Sequence, residues 1–258
     1  MNLHAPHPPV SAADVAMLEA AAFQSWPALE PEEDVQGWRL RFARGYTKRA
    51  NSANSTAQAC ALDADLLQAL EQRFAQRGLT PVFRLVEGTV PAGAEALLEA
   101  RGYRAVDPSL VLVRELEASD AAIPPPQQLP SAADWLQTFV AVSGKPLQGQ
   151  DTHLQMLQSI TAPCCWAYSQ QAGQSASTAC ALGVLAQGQL GLFDIATRAD
   201  LRRQGLAAAL VQRVLGWGAR QGAQRAYLQV LGSNAPALAL YQKLGFRLAY
   251  RYAYRVAT

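Results

Sequence analysis

Metal chemistry has little to work with in this sequence. Its four cysteines (Cys60, Cys164, Cys165 and Cys180) include no C-x-x-C pair and stand near no pair of histidines. Neither a zinc site nor a disulfide framework is indicated. Adjacent Cys164 and Cys165, in a strand-like setting, read as small buried apolar residues. Half of the chain is apolar (50%), yet no run approaches the roughly 20 residues needed to cross a bilayer. The stretch from Met1 to Val10 lacks a basic segment followed by an apolar one, so no secretory signal is expected. A net charge of +2 is too small to argue for nucleic acid, and the basic residues are scattered except between Arg39 and Arg49. These absences leave a soluble, reduced, cytoplasmic protein with no metal, no membrane and no nucleic acid as the expectation. At 258 residues the chain is long for one small domain, which favours two domains or a duplicated one.

What is present divides in two. Ser11 is a plausible N-cap for a helix running to about Trp26, with Val15, Leu18, Ala22 and Phe23 at helical spacing. Trp38, Leu40 and Phe42 alternate with Arg39 and Arg41 as a half-buried strand, and Arg44-Gly45 suggests a hairpin turn. The polar run from Asn51 to Ser55 reads as a loop. An amphipathic helix follows from Asp63 to Arg77, stopped at Gly78, then a strand from Pro81 to Glu87. A helix from Pro91 to Arg101 and a strand from Leu110 to Leu116 complete residues 1–120. Residues 121–130 hold four prolines, which lack N–H groups and favour an extended backbone. They read as a linker.

Residues 131–258 begin as the first part does, with Ser131-Ala-Ala-Asp134 repeating Ser11-Ala-Ala-Asp14. A helix to about Val142 and another from Asp151 to Ile160 precede three strands: Cys164–Gln170, Ser177–Ala186 and Gln189–Thr197. Gly173 and Gly188 mark the turns between them. A helix from Gly205 to Arg220, a strand Arg225–Val230, a helix Asn234–Leu244 and an alternating segment Phe246–Val256 follow. Ala96 to Arg104 also lies over Ala239 to Arg247, each followed by a terminal strand. The two parts therefore read as a tandem repeat.

The chemistry concentrates between Leu192 and Ala207, where an apolar strand ends in a charged, glycine-containing turn and a helix begins at once. A diphosphate needs close backbone approach, which Gly205 permits, and the free N–H groups and partial positive charge of a helix start suit an anion. Arg202 and Arg203 add charge. The turn Arg202-Arg203-Gln204-Gly205-Leu206-Ala207 fits Arg/Gln-x-x-Gly-x-Gly/Ala. It resembles the pyrophosphate signature of the GNAT acetyltransferase superfamily. The segment Leu228 to Phe246, with Asn234 as N-cap, Pro236 in the first turn and Tyr241 on the helix, resembles the GNAT segment that contacts acetyl-coenzyme A and its sulfur.

The resemblance covers residues 131–258 through the element order ααβββαβαββ. It implies an α/β (α+β) fold of tandem GNAT-like halves, each a mixed, mostly antiparallel sheet flanked by helices. The N-terminal half would be degenerate, since no such turn precedes its Asp63 helix and Leu98 stands where the other half has Tyr241. The implied activity is N-acetyl transfer from acetyl-CoA to a primary amine, small-molecule or peptide, by direct attack in a ternary complex. The implied cofactor-binding residues are Ile195, Ala196, Thr197, Arg202, Arg203, Gln204, Gly205, Leu206, Ala207, Asn234 and Tyr241. Phe193 and Asp194 lie on the same strand. Tyr241 would act as general acid, because a phenol of pKa ~10 is protonated at neutral pH.

The general base departs from the pattern. Similar ribosomal-protein N-terminal acetyltransferases carry a Glu in the later strand, where this chain has Gln229, which accepts no proton. Asp194 is the nearest carboxylate by sequence and is the candidate base. His153, the only histidine outside the N-terminal tail, reads as a surface residue. Tyr46 to Asn54 gathers hydroxyl, amide and cationic groups that could form an acceptor pocket against the second half, and it resembles a segment of bacterial two-part GNAT proteins. A non-catalytic acyl-CoA-binding or protein-interaction module is the alternative reading, and the oligomeric state is left open.

Overall fold

The computed structural model describes residues 10–171 and 176–257. The turn expected at Gly173, and nearly all of the N-terminal stretch Met1 to Val10, lie outside them. The first half comprises α1 (Ala12–Ser25), β1 (Glu33–Val35), β2 (Trp38–Arg41), β3 (Ser52–Ser55), α2 (Ala64–Ala75), β4 (Val82–Val86), α3 (Ala94–Ala100) and β5 (Tyr103–Glu115). The second comprises β6 (Gln127–Gln128), α4 (Ala132–Ser143), α5 (Asp151–Gln158), β7 (Cys164–Gln170), β8 (Ser177–Ala186), β9 (Gln189–Thr197), α6 (Leu206–Arg220), β10 (Arg225–Leu231), α7 (Ala235–Lys243) and β11 (Arg247–Ala257). The repeated Ser-x-x-Asp start works the same way twice. Ser11 accepts the N–H of Asp14, and Ser131 that of Asp134, each at 3.1 Å.

Among the described residues, eleven strands join in one sheet, in the order β1-β2-β3-β4-β11-β5-β10-β9-β8-β7-β6. Most pairings are antiparallel. The parallel ones, β3 with β4 and β9 with β10, occupy corresponding places in the two halves. The last strand of each half crosses over. β5 pairs with β10, β11 pairs with β4, and the two pair with each other from Arg247↔Val113 to Ala257↔Tyr103. Each half therefore completes its sheet with the other's strand.

Three expectations change. The element order anticipated two strands at the C-terminus, but Arg247–Ala257 is one strand of 11 residues. The segment contains no Gly or Pro to turn on, and β5 takes the place of the missing partner. Tyr250, Tyr252 and Tyr254 are buried on one face, and Arg251 is exposed on the other. The Asn51–Ser55 run is no loop: Ser52–Ser55 is a buried strand. Its polar side chains are satisfied internally. Asn54 donates to the Arg39 carbonyl at 3.0 Å, and Ser55 Oγ accepts the Val86 N–H at 3.2 Å. The short strand β1, which no alternation announced, makes a hairpin with β2 through Gln36 and Gly37, both at positive φ.

The Pro-rich stretch departs from the expectation at its start, where Ala121 and Ala122 complete a short 3-10 turn (Asp120–Ala122), and is without helix from Ile123 on. Gln127 and Gln128 pair with β7 at the sheet edge, and Arg220 of α6 donates to the carbonyls of Ala121 (2.8 Å) and Ile123. At the seam between the halves, Glu19 on α1 takes both amino groups of Arg84 on β4 and the hydroxyl of Tyr250 on β11 (2.7 Å). Arg84 is 1% exposed and lies 3.9 Å over the Tyr252 ring. Burial opposes the Glu19 charge, but Arg84 and Tyr250 outweigh it and hold the carboxyl below its usual range. A carboxyl depressed in the fold contributes stability above its unfolded pKa of ~4.3, and that contribution is lost as pH falls through the folded value. Glu19→Gln, which leaves Arg84 buried without its counter-charge, should cost about 3–5 kcal/mol in urea unfolding at neutral pH. The gap to wild type should narrow on acidification; a cost below about 1 kcal/mol would rule out this role for the pair.

Candidate active site

The site begins where two neighbouring strands part. β9 and β10 pair in parallel from Gln189↔Arg225 to Leu192↔Leu228 and no further. The cause lies on the other side of β9. Its pairing with β8 steps from Phe193↔Leu182 to Ala196↔Cys180, so Asp194 and Ile195 together face one residue of β8. Asp194 takes the left-handed conformation (φ 45°) at this bulge. A bulge bends its strand and re-aims side chains. The edge of Ile195, Ala196 and Thr197 away from β8 is thereby left without a strand partner, facing the gap.

Beyond β9 the chain reaches the turn before α6. Arg202, Arg203, Gln204 and Gly205 are all exposed, while Leu206 and Ala207 are half-buried. Arg203 (φ 62°) and Gly205 (φ 80°) are both left-handed, so glycine is needed for conformation as well as for approach. A Cβ on Gly205 would meet no atom within 4 Å, leaving clear space before the helix start. No side chain caps α6, and its first turn carries no acid. Its first N–H groups have no partner within the helix. The equivalent helix of the first half differs at this point: Asp63 caps α2 by accepting the Leu66 N–H at 2.8 Å, and Asp65 follows in the first turn. That carboxylate occupies the place an anion would take and repels it.

Beyond β10 in the chain, Asn234 caps α7 by accepting the Ala237 N–H at 3.2 Å. Tyr241, on the same helix, is buried against Phe246 (ring centroids 5.8 Å apart). It shares an apolar cluster with Leu210 of α6 and Leu228 of β10. Burial pushes its phenol up to about 12. Gln229, the first residue of β10 past the last pair with β9, accepts a hydrogen bond from the Tyr252 hydroxyl at 2.9 Å.

His153 is not on the surface. It is 0% exposed, enclosed by the rings of Tyr46 (5.2 Å), Trp26 (5.6 Å) and Phe139 (5.6 Å). Two of these come from the first half, which is why nothing in the sequence around His153 announced its burial. Its Nε2 lies 2.9 Å from Asp194 Oδ2, an ion-pair distance without hydrogen-bond alignment. Its Nδ1 faces Gln150 Oε1 at 3.3 Å, and the Tyr46 hydroxyl donates to that same oxygen at 3.3 Å. The Asp194 side chain keeps 21% exposure. Burial first, and the Asp194 charge second, push the Tyr46 phenol up to about 12. The fold thus brings Asp194, His153 and Tyr46 into one cluster. Among the described residues no three His, Cys, Asp or Glu side chains gather as a metal site would require, and no helix is long and apolar enough to cross a membrane.

Comparison with known proteins supplies the family. Residues 12–255 match the family described as probable histone acetyltransferase Rv0428c, C-terminal. The chain belongs to this family. It is a member of the GNAT superfamily. Over 251 residues it is 26% identical to the uncharacterized N-acetyltransferase YobR of Bacillus subtilis, covering 94% of this chain and 98% of that protein. Over 58 residues it is 43% identical to the ribosomal protein bS18 alanine N-acetyltransferase of Escherichia coli, covering 22% of this chain and 39% of that enzyme. A GCN5-related N-acetyltransferase from Kribbella flavida superposes with a TM-score of 0.67 at 16% identity, over 97% of this chain and 96% of the other. At that identity the likeness speaks to the fold alone. Within the GNAT frame, the second half carries an open helix start and a buried tyrosine on its last helix, whereas the first half has a capped helix start and Leu98 on the corresponding helix.

The open helix start predicts a charge effect. Gly205→Glu should abolish binding of CoA, measured by calorimetry, while Gly205→Gln, with the same bulk and backbone strain, should retain part of it. Equal affinities for the two variants would mean that no phosphate sits there.

Proposed function

We propose that the chain transfers an acetyl group from acetyl-CoA to a primary amine by direct attack in a ternary complex. What supports this reading is the conjunction, in the second half, of the parting of β9 and β10, an uncapped helix start at Gly205 and a buried, protonated Tyr241 on the helix that follows β10. Residues Arg202 to Ala207 would hold the diphosphate, because their surroundings offer free N–H groups, two cationic side chains and no carboxylate in the first turn of α6. Acetyl-CoA would supply an acetyl group activated as a thioester.

The chain's own groups divide the remaining work. The unpaired main-chain edge at Ile195 to Thr197 offers N–H groups to the charge that gathers on the carbonyl oxygen. The Asp194 carboxylate sits at the bulge where the strands part, 2.9 Å from His153, and the amine's proton passes to this pair as the nitrogen–carbon bond forms. As the carbon–sulfur bond breaks, Tyr241 gives its proton to the sulfur. A binding role without catalysis would leave both the Tyr241 phenol and the Asp194–His153 pair without employment. Gln229 is held by Tyr252 and takes no part in proton transfer.

With its phenol raised to about 12, Tyr241 stays protonated across ordinary assay conditions. Turnover should therefore show no alkaline fall from this group below about pH 11. Tyr241→Phe should lower turnover, followed as CoA release with a panel of amines, by about 10²–10⁴ while leaving acetyl-CoA affinity nearly unchanged. Undiminished turnover would remove Tyr241 from the acid role. Acetyl-CoA binding with no CoA release from any amine would favour the non-catalytic reading.

A further inference from the structure

Next to the gap, on the β10 side, lies a cavity of about 340 Å³. Small-molecule sites range over roughly 300–1,000 Å³, so this one suits a small ligand rather than a length of peptide. Both halves build it. The loop from Gly45 to Arg49 forms one wall, β5 contributes Asp107 and Ser109, β10 contributes Val230 and Leu231, and β11 contributes Tyr252 and Tyr254. Val230 and Leu231 lie just past the point where β9 and β10 separate, so the cavity adjoins the reacting region.

Its charges are distributed unevenly. Lys48 is paired with Asp107 at 3.0 Å, both about two-fifths exposed (41% and 42%) at the rim. Arg49 is different: among the described residues it forms no ion pair within bonding distance, its guanidinium is held only by the Tyr252 hydroxyl, and its Nε is buried with no hydrogen-bond partner. The loop that presents it is held rigid from within. Asn51 accepts the N–H groups of Ala43 (2.7 Å) and Gly45 (2.8 Å) and donates to the Thr47 carbonyl (2.8 Å). Arg41, itself buried, donates to the Arg49 carbonyl at 2.9 Å. A buried guanidinium N–H left without an acceptor is costly unless a ligand supplies one. The surrounding field agrees, since Arg49 and Arg84 outweigh burial and lower the Tyr252 phenol. Asp194, at the bulge where the strands part, lies outside the cavity lining but is near enough to act electrostatically on both Arg49 and Tyr46. A cation in the cavity and a carboxylate within electrostatic reach of it match the two ends of an amino acid.

We propose that the acceptor is a small free amino acid, its carboxylate held by Arg49 in this cavity and its amine turned toward Asp194 in the gap. The identification of the acceptor rests on the acetyl-transfer reading; the carboxylate site does not. It is a narrower claim than the family description, because a cationic cavity of this size disfavours a lysine-rich protein tail.

The test is calorimetry in the presence of CoA, titrating the free α- and ω-amino acids and, for each, the amine lacking the carboxylate. At least one amino acid should bind about 10-fold or more tightly than its decarboxylated counterpart, as a charge-assisted hydrogen-bonded contact requires. Arg49→Met should erase that difference, and Arg49→Lys, which keeps the charge, should restore part of it. Equal binding of the paired ligands, binding of none of the amino acids, or a preference that survives Arg49→Met would each overturn the proposal. CoA release measured on the same panel separates the two claims. A carboxylate preference in binding without any release defeats the transferase reading and, with it, the acceptor assignment, but leaves the carboxylate site standing. Release from amines regardless of their carboxylate does the reverse.

Discussion

The antiparallel pairing of β5 with β11 is the constraint on which the rest of the molecule depends. Each is the last strand of its half, and each is inserted into the sheet of the other. Without the exchange there would be two sheets with an open slot apiece. With it there is one sheet of eleven strands, and the first half is fixed against the gap between β9 and β10. The Glu19, Arg84 and Tyr250 network crosses this same seam, so α1 is tied to it by buried charge as well as by apolar packing. Buried ion pairs are poor sources of net stability, but breaking one is costly, which makes this network a lock on the arrangement.

On the proposed reading, the two halves differ in ligand binding through the chemistry of a single position. Both present a parallel strand pair followed by a helix start. Where the second half has Gly205, left-handed and uncapped, the first has Asp63, whose carboxylate already satisfies the helix it precedes. Freed from that task, the first half contributes walls. Trp26 and Tyr46 enclose His153, and the loop ending at Arg49 closes the cavity beside β10. On the proposed reading the site is composite, with its anion-binding helix on one half and much of its acceptor side on the other.

Local chemistry was readable from the sequence wherever a residue's role is set by its neighbours in the chain. The repeated Ser11 and Ser131 caps, the turn at Gly205, and the Asn234 and Tyr241 helix all depend on spacing within a few residues. What could not be read depends on contacts between distant segments. His153 looked solvent-exposed because two of the three rings that bury it, Trp26 and Tyr46, lie more than one hundred residues away, just after α1 and in the loop after β2. Ser52 to Ser55 looked like a loop because its composition is polar, and only the fold supplies the partners that let those side chains be buried. The unbroken alternation of Arg247 to Ala257 was visible, but not that β5 would stand beside it.

The central claim is that acetyl-CoA binds once, on the second half, along the freed edge of β9 and the start of α6. Hydrogen exchange with and without saturating acetyl-CoA addresses it directly, because the groups concerned are main-chain amides. Exchange is expected to slow at residues 195–197 and 205–208, with no change at the corresponding helix start, residues 63–66. Protection at residues 63–66, or none at residues 205–208 while acetyl-CoA is bound, would contradict this account.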